Sequence, residues 1–278
     1  MRLVARGLST LRGARLVPLA LLAAALLGAC AGGPQAPSPS GPGKDIITAS
    51  DESDASKRAK VRLELASAYF GRGQMTTALD QVKLAIAADP TSFEAFNLRG
   101  LIYANLGDDT LAEESFRHAL QLAPRDPNTM HNFGYFLCQK RRYPEGNAMF
   151  EQALAVPQYR DPSRTLLAQG VCYAFAGQLA ESEATLLRAY QADPANPSTA
   201  FNLAEVLYRR GDYERARFYI RRVNSVPASA NAQTLWLATR VENKLGNRRG
   251  AQELGEQIVA RYPGSREASS YQRGAYDE

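Results

Sequence analysis

A two-helix pattern recurs six times along this 278-residue chain, at a period of about 34 residues. One position of each unit holds a small residue, namely Ala66, Gly100, Gly134, Gly170, Ala204 or Thr239. Three residues later an aromatic or aliphatic side chain follows in five units (Tyr69, Tyr103, Leu137, Tyr173 and Leu207), and Glu242 follows in the sixth. Small residues let two helices approach closely, while the larger side chain fills the space beside them. Because one hairpin cannot bury its apolar stripe alone, the repetition predicts a stacked array of hairpins.

The spacing resembles the tetratricopeptide repeat, whose unit is a helix, a turn and an antiparallel helix. The resemblance covers residues 59–265 and implies an all-α fold, a right-handed superhelical solenoid of six helical hairpins. The repeats are expected near residues 59–92, 93–126, 127–162, 163–196, 197–231 and 232–265, within a repeat domain of residues 51–265. A solenoid with a concave face is a platform for binding, so we expect a protein that binds another protein and not an enzyme.

Glycine and proline mark the ends of the predicted helices. Turn glycines with a polar neighbour occur at Gly107, Gly177, Gly211 and Gly246, where a positive φ costs little without a Cβ. Proline ends the second helix of four units, at Pro90, Pro124, Pro194 and Pro263. The third unit is two residues longer and ends in residues 156–162, which predicts a local change in the superhelix. Residues 266–278 are expected to form a C-terminal cap and tail, with a short helix over Ser265–Gln272.

The N-terminus has the composition of a secretory signal. Four arginines precede an apolar run from Leu16 to Leu27, which is too short to span a bilayer as a helix. Leu27-Gly28-Ala29-Cys30 resembles the lipobox of bacterial lipoproteins, which implies a signal peptide of residues 1–29 and an acyl and diacylglycerol lipid on Cys30. An ordinary signal peptide with an incidental cysteine is the alternative. Ala31 follows the cysteine, which in this class implies lipid anchoring at the periplasmic face of the outer membrane of a Gram-negative bacterium.

The charge of the chain lies largely in this N-terminal segment. The full chain has 33 Lys and Arg against 28 Asp and Glu, but residues 1–29 hold four of the arginines and no acid, so 29 basic residues remain against 28 acidic ones. This near neutrality, without a basic run interleaved with aromatic residues, argues against nucleic-acid binding. Residues 30–50 are predicted to be the lipidated Cys30 and a flexible Pro/Gly/Ser tether, of which residues 31–43 reach about 40 Å at about 3 Å per residue.

Two cysteines remain besides Cys30. Cys138 and Cys172 lie in the first helices of the third and fourth units, and these helices are neighbours in a solenoid. An oxidising periplasm favours a disulfide between them, whereas the alternative is a pair of small thiols buried at core positions. Since Cys138 is the twelfth residue of its unit and Cys172 the tenth, the sequence leaves both alternatives open.

No group of residues predicts catalysis or metal binding. The chain has two histidines, of which His118 is expected on a solvated helix surface and His131 in the concave face. Polar recognition is favoured over a metal for His131, because no second His or Cys follows at ligand spacing. The acidic residues are spread along helix faces. We therefore predict no catalytic residue, no metal, no cofactor besides the lipid on Cys30 and no small-molecule substrate.

Helical periodicity selects the side chains that line the concave face, taken from the first helix of each unit. This predicted partner-binding groove consists of Leu63, Phe70, Asn97, Leu101, His131, Tyr135, Leu167, Val171, Phe201, Tyr208 and Trp236. The set is unusually apolar and aromatic for a surface that faces water, which indicates a protein partner. The alternative is that some of these side chains fill the interior of the superhelix, against one another or against the capping segment.

Several segments resemble type IV pilus biogenesis lipoproteins of the PilF/PilW family. They are residues 131–139, 150–154, 157–159, 170–172, 211–217, 235–237 and 262–271, spread over nearly the whole chain after the signal. The resemblance implies a pilotin, an outer-membrane lipoprotein that localises the pilus secretin and promotes its multimerisation. The pair Arg141-Arg142 with Gly146 departs from the family, which usually has Gly-Arg and then Glu-Ala. The competing interpretation is a periplasmic scaffold lipoprotein for cell-wall enzymes or for outer-membrane assembly.

Overall fold

Helices separated by short turns make up residues 53–276, which are the residues that the computed structural model describes. Twelve helices pair in chain order as α1 (Asp54–Gly71) with α2 (Met75–Ala88), α3 (Phe93–Leu106) with α4 (Asp109–Leu122), α5 (Pro127–Gln139) with α6 (Tyr143–Leu154), α7 (Pro162–Phe175) with α8 (Leu179–Ala192), α9 (Pro197–Arg209) with α10 (Tyr213–Asn224), and α11 (Ala232–Lys244) with α12 (Arg248–Arg261). The short helix α13 (Arg266–Gln272) follows them. The predicted signal peptide, Cys30 and the whole of the tether lie outside the described residues. No helix within residues 53–276 has the length and hydropathy needed to cross a membrane.

The packing of the helices shows which side of the array is concave. The first helices of consecutive hairpins contact one another all along residues 53–276, from α1 against α3 to α9 against α11. The second helices, from α2 to α12, do not contact one another in the same region, although each packs on the first helix of the next hairpin. Because the first helices are closer together, they line the inner face of the curve. The predicted all-α superhelical solenoid of six hairpins is confirmed.

The two helices of a hairpin fit together through matched side-chain volumes. Where the crossing residue is glycine (Gly100, Gly134 or Gly170), the residue sixteen positions later is Phe116, Phe150 or Leu186, and where it is alanine (Ala66 or Ala204), that residue is the β-branched Val82 or Ile220. All of these larger side chains are fully buried. A Cβ added to Gly100 would lie 2.7 Å from the Phe116 ring, so the glycine is required by its partner.

The sixth hairpin closes the array in a different way. Its crossing residue is Thr239, and the residue sixteen positions later is Gly255. The ring of Tyr271, from α13, occupies the space above Gly255, where an added Cβ would overlap it. The short helix expected over Ser265–Gln272 is present as α13, with Ser265 as its N-cap. It covers the apolar end that a last repeat would otherwise expose to water.

The turns within the hairpins share a left-handed residue. It is glycine in five hairpins, at Gly73, Gly107, Gly177, Gly211 and Gly246, which confirms the positive φ predicted for the last four. In the third hairpin the same register position is Arg141, with a φ of 60°. A residue with a Cβ pays about 1 kcal/mol or more for this conformation. Arginine in place of the turn glycine therefore strains the backbone of the third hairpin.

Glu242 occupies, in the sixth unit, the position that holds an aromatic or aliphatic residue in the other five. Its side chain is buried and forms an ion pair. Its carboxylate accepts hydrogen bonds from Arg221 Nη2 at 2.7 Å and from Asn247 Nδ2 at 2.8 Å. A buried carboxylate is tolerated only when its oxygens are satisfied in this way. Glu242 therefore joins α10 to α11 and to the turn before α12, where other hairpins use an apolar contact.

Candidate partner-binding cleft

The eleven residues of the predicted groove all lie on the first helices, but their accessibility differs. Seven are half-buried: Leu63, Phe70, Asn97, Leu101, Leu167, Val171 and Phe201. His131, Tyr208 and Trp236 are buried, and Tyr135 is 50% exposed. The half-buried Asn97 accepts a hydrogen bond from Asn132 at 3.1 Å, so it also joins α3 to α5. The inner face is thus partly filled by its own side chains.

Four members of the set come together around one cleft. Its volume is about 730 Å³, and it is bounded mainly by α5 and α7, with one residue each from the turn after α5, from α6 and from α9. The lining residues are His131, Tyr135, Cys138, Gln139, Arg141, Tyr143, Arg164, Leu167, Ala168, Val171, Phe175 and Asn202. This is the size of a typical ligand pocket, and it lies open on the inner face.

Exposed apolar side chains form much of the cleft. Phe175 on α7 is 68% exposed, and Tyr135 on the neighbouring helix α5 is 50% exposed. Leu167 and Val171, which are also on α7, are half-buried. Large apolar side chains left in water at one place are typical of a surface that another molecule covers. Aromatic residues are also the commonest anchors of such interfaces.

A chain of buried polar groups supports one wall of the cleft. His131 Nδ1 lies 2.8 Å from Thr165 Oγ1, which lies 2.7 Å from the hydroxyl of Tyr159. The pKa of His131 is lowered to about 4, mainly by burial and also by the nearby Arg164, while Asp161 acts in the opposite direction. The imidazole is therefore neutral at neutral pH. Tyr159 belongs to the two-residue insertion of the third repeat, so this insertion is joined to both α5 and α7.

Two arginines give the cleft a positive rim. Arg141 and Arg164 are exposed, and no Asp or Glu occurs among the described residues that line the cleft. Arg164 Nε lies 3.7 Å from Asp161 Oδ2, a long and half-exposed pair that contributes little. Within residues 53–276 no carboxylate is paired with Arg141.

A disulfide joins Cys138 and Cys172 at the back of the cleft, with their Cα atoms 5.8 Å apart. Counted from the proline that begins each helix, Cys138 is eleven residues after Pro127 and Cys172 is ten residues after Pro162. The two cysteines therefore meet although their positions along the helices are not equivalent. The bond holds the third and fourth hairpins together beside the cleft.

The chain itself covers the inner face at its C-terminal end. The ring of Trp236 stacks on that of Tyr276, with centroids 5.7 Å apart. Arg240 lies over the Tyr208 ring at 4.3 Å and donates from Nε to the backbone oxygen of Tyr276 at 3.2 Å. These contacts correspond to the alternative in which groove residues pack against the capping segment. The accessible part of the predicted groove is the cleft around Tyr135.

Sequence reasoning considered Cys138 only as a disulfide partner or a buried thiol, and it missed seven other residues of the cleft: Gln139, Arg141, Tyr143, Arg164, Ala168, Phe175 and Asn202. A signal existed only for Arg141, which occupies the register of the turn glycines. His118, expected on a solvated surface, is half-buried with its ring 4.1 Å from that of Phe96, which corrects that prediction. Across residues 53–276, no group of three or more His, Cys, Asp or Glu side chains is placed to hold a metal ion.

Comparison with known proteins assigns the repeats to a family. Two tetratricopeptide-repeat family models match the chain, one at residues 58–127 and 137–197 and the other at residues 175–238. The crystal structure of PilW, described as a widely conserved type IV pilus biogenesis factor, superposes with a TM-score of 0.73 and 31% identity, covering 77% of this chain and 98% of that one. The chain belongs to the PilF/PilW family.

Two further comparisons agree with this assignment. The type IV pilus assembly protein PilF of Pseudomonas aeruginosa is 27% identical over 252 residues, covering 91% of this chain and 95% of that protein. The structure of Pseudomonas aeruginosa PilF has a TM-score of 0.70 at 24% identity, covering 80% of this chain, and shows the same fold. The PilF/PilW chain described here is therefore a tetratricopeptide protein of type IV pilus biogenesis, and a protein partner is supported by its fold and family.

Proposed function

We propose that the protein is a pilotin, an outer-membrane lipoprotein that binds the secretin of the type IV pilus, localises it and promotes its multimerisation. The observation that carries the proposal is the open apolar cleft on the inner face, around Tyr135 and Phe175. The lipobox at Cys30 and the family membership support it from the sequence side. In this mechanism the protein performs no chemistry and acts only by holding its partner.

The lipid would supply the localisation. One acyl chain gives only marginal membrane binding, whereas several chains on Cys30 would give stable anchoring. A secretin subunit bound to an anchored protein is confined to a thin layer near the membrane, which raises its effective concentration there. Subunits brought together in this layer would meet more often than free subunits, and this favours multimers.

The anchoring step is tested with Cys30→Ser. We expect this variant to lack the lipid by mass spectrometry, to leave the outer-membrane fraction, and to leave secretin multimers reduced or misplaced. Wild-type amounts of multimer in the outer membrane, formed with an unlipidated protein, would rule out the delivery step.

The binding step is tested with Tyr135→Ala combined with Phe175→Ala. Both side chains are largely exposed, so the fold should persist while secretin co-purification falls. The matched control is Phe218→Ala, which removes a 61% exposed ring from α10, on the outer side of the array. Equal secretin capture by the cleft variant and the control would remove the cleft from the mechanism. Co-purification of cell-wall enzymes in place of secretin would favour the scaffold interpretation.

A further inference from the structure

The charge of the cleft and its apolar floor together define a ligand chemistry. Arg141 and Arg164 stand at the rim, and the floor between them includes Leu167 and Val171. A guanidinium binds a carboxylate through two parallel hydrogen bonds, and it does so more strongly where water is partly excluded. A partner that fills the floor with an apolar side chain would bring its neighbouring carboxylates into this position.

The C-terminal end of the same inner face shows a related arrangement within the chain, in which the oxygen acceptor is a backbone carbonyl. There the aromatic ring of Tyr276 lies on Trp236, and the backbone oxygen of the same residue accepts from Arg240. An aromatic ring beside an oxygen acceptor thus fits this face, with an aromatic side chain and an arginine as the receiving groups. The cleft also contains an aromatic side chain and an arginine, Tyr135 and Arg164, although they lie on two different helices, and no described segment of the chain covers them.

The backbone conformation of Arg141 also supports a ligand that carries carboxylates. The other five hairpins place glycine at this position, and arginine there costs about 1 kcal/mol or more. Its side chain lines the cleft, and among residues 53–276 it forms no ion pair that would offset this cost. A strained residue at the rim of a binding surface is a common sign of a functional constraint.

We propose that the cleft around Tyr135 binds a segment of the partner protein in which an aromatic or long aliphatic side chain is flanked by carboxylates. The inference rests on the proposed function, since it specifies the partner segment that the pilotin would hold. It commits to an acidic peptide, recognised by Arg141 and Arg164 at the rim and by Leu167, Val171 and Phe175 at the floor.

The test uses the purified full-length protein in detergent and three fluorescein-labelled, C-amidated decapeptides. The first is Gly-Ser-Glu-Asp-Phe-Leu-Glu-Asp-Gly-Ser, the second has lysine at every acidic position, and the third has Ala-Ala in place of Phe-Leu. Fluorescence polarisation should show binding of the first peptide and at least tenfold weaker binding of the other two. Equal binding of the acidic and lysine peptides would overturn the proposal.

The protein side is tested by charge reversal. Arg141→Glu with Arg164→Glu should weaken binding of the acidic peptide at least tenfold and strengthen binding of the lysine peptide, because a reversed rim attracts the opposite charge. The gain of binding cannot arise from misfolding. The matched control is Arg188→Glu, which reverses an exposed arginine on α8 and should leave both peptides unaffected. An unchanged acidic-peptide affinity in the double variant would overturn the proposal.

Two further measurements separate this inference from the proposed function. Secretin multimers are quantified in cells that carry the double charge reversal. If multimers are lost while acidic-peptide binding is unchanged, the peptide chemistry is wrong and the pilotin function stands. If peptide binding follows the charge reversal but multimers are normal, the cleft chemistry stands and the secretin is not its partner. A dimer in sedimentation that the double reversal dissolves would overturn the inference in favour of a second copy of the chain.

Discussion

The third and fifth hairpins have the same backbone arrangement but are joined to their neighbours by different chemistry. In the fifth hairpin, Arg215 pairs with Glu183 of α8 at 2.7 Å and Arg221 pairs with Glu242 of α11 at 2.7 Å, through arginines that remain largely exposed. In the third hairpin, the disulfide and the hydrogen bond between His131 and Thr165 reach the fourth hairpin through buried atoms.

The comparison indicates where the molecule requires a fixed geometry. The carboxylates of Glu183 and Glu242 are largely buried, but each pair ends in a long arginine side chain whose guanidinium stays in contact with water, so the pair can adjust to small movements between hairpins. A covalent bond and a buried hydrogen bond fix the spacing of α5 and α7, which form the two main walls of the cleft. The solenoid is therefore expected to be stiffest where the partner is proposed to bind.

The largest difference between the two hairpins should come from the disulfide. Replacing both Cys138 and Cys172 with Ala is expected to lower the free energy of unfolding by about 3–4 kcal/mol, from the entropy of closing the loop between them. Urea unfolding, with hydrogen exchange of α5 to α8, measures the effect. Glu183→Gln, which removes ion pairs of the fifth hairpin, is the comparison and should cost about 1 kcal/mol. Equal losses of unfolding free energy for the two changes would show that the disulfide joins its hairpins no more strongly than the ion pairs join theirs.

His131 should make the third hairpin sensitive to acid. Its pKa is about 4 in the folded protein, below the ordinary value of 6.5, so above pH 6.5 both states are neutral and the residue has no effect. As the pH falls from 6.5 to 4, only the unfolded state binds a proton, and stability is lost by about 3 kcal/mol in total. Below pH 4 the loss levels off. The urea midpoint should fall across this window in the wild type more steeply than in His131→Gln, and parallel curves would show that the residue is not buried neutral.

The close contact between the two helices of a hairpin can be tested with opposite substitutions in the third and fifth hairpins, both of which should destabilise the protein. A Cβ on Gly146 would lie 2.9 Å from the backbone oxygen of Gly134, so Gly146→Ala should cost about 2 kcal/mol in spite of its better helix propensity. At the corresponding position of the fifth hairpin, Ala216→Gly should cost about 1 kcal/mol through backbone entropy and lost packing. Thermal unfolding of both variants is the measurement. A stabilising Gly146→Ala would show that α5 and α6 can separate without loss.

The turn residue should give the smallest effect, with opposite signs in the two hairpins. Arg141→Gly is expected to stabilise the protein by about 1 kcal/mol, because glycine adopts the positive φ without strain. Gly211→Ala should destabilise it by about the same amount. Chemical denaturation checks both, and the stabilised Arg141→Gly protein should at the same time bind the acidic decapeptide more weakly. A variant that gains stability without losing affinity would remove Arg141 from the cleft's recognition.

The fold could be predicted from the sequence because its information is local and repeated. The small crossing residues and the turn glycines Gly107, Gly177, Gly211 and Gly246 specify each hairpin within about 34 residues. The contact of Trp236 with Tyr276 could not be predicted, because it joins the sixth hairpin to the tail that follows the last repeat. The disulfide was left open since the insertion in the third unit shifts the apparent register.

The cleft was predicted in part for the same reason. His131, Tyr135, Leu167 and Val171 follow from helical periodicity, which selects one face of each first helix. Arg164 and Phe175 lie at the two ends of α7, where the path of the chain before and after the helix decides what they contact. Periodicity contains no information about those segments.

The contact of Tyr271 with Gly255 has a consequence for the length of the array. The ring occupies the site that the large side chain of an ordinary second helix fills from within, so α13 acts as an end group. Another hairpin added after α12 would have to displace it and would meet a cavity at Gly255. A longer array would therefore arise more readily by duplication of an interior hairpin than by addition at this end. The contact between Gly255 and Tyr271 thus limits the number of hairpins.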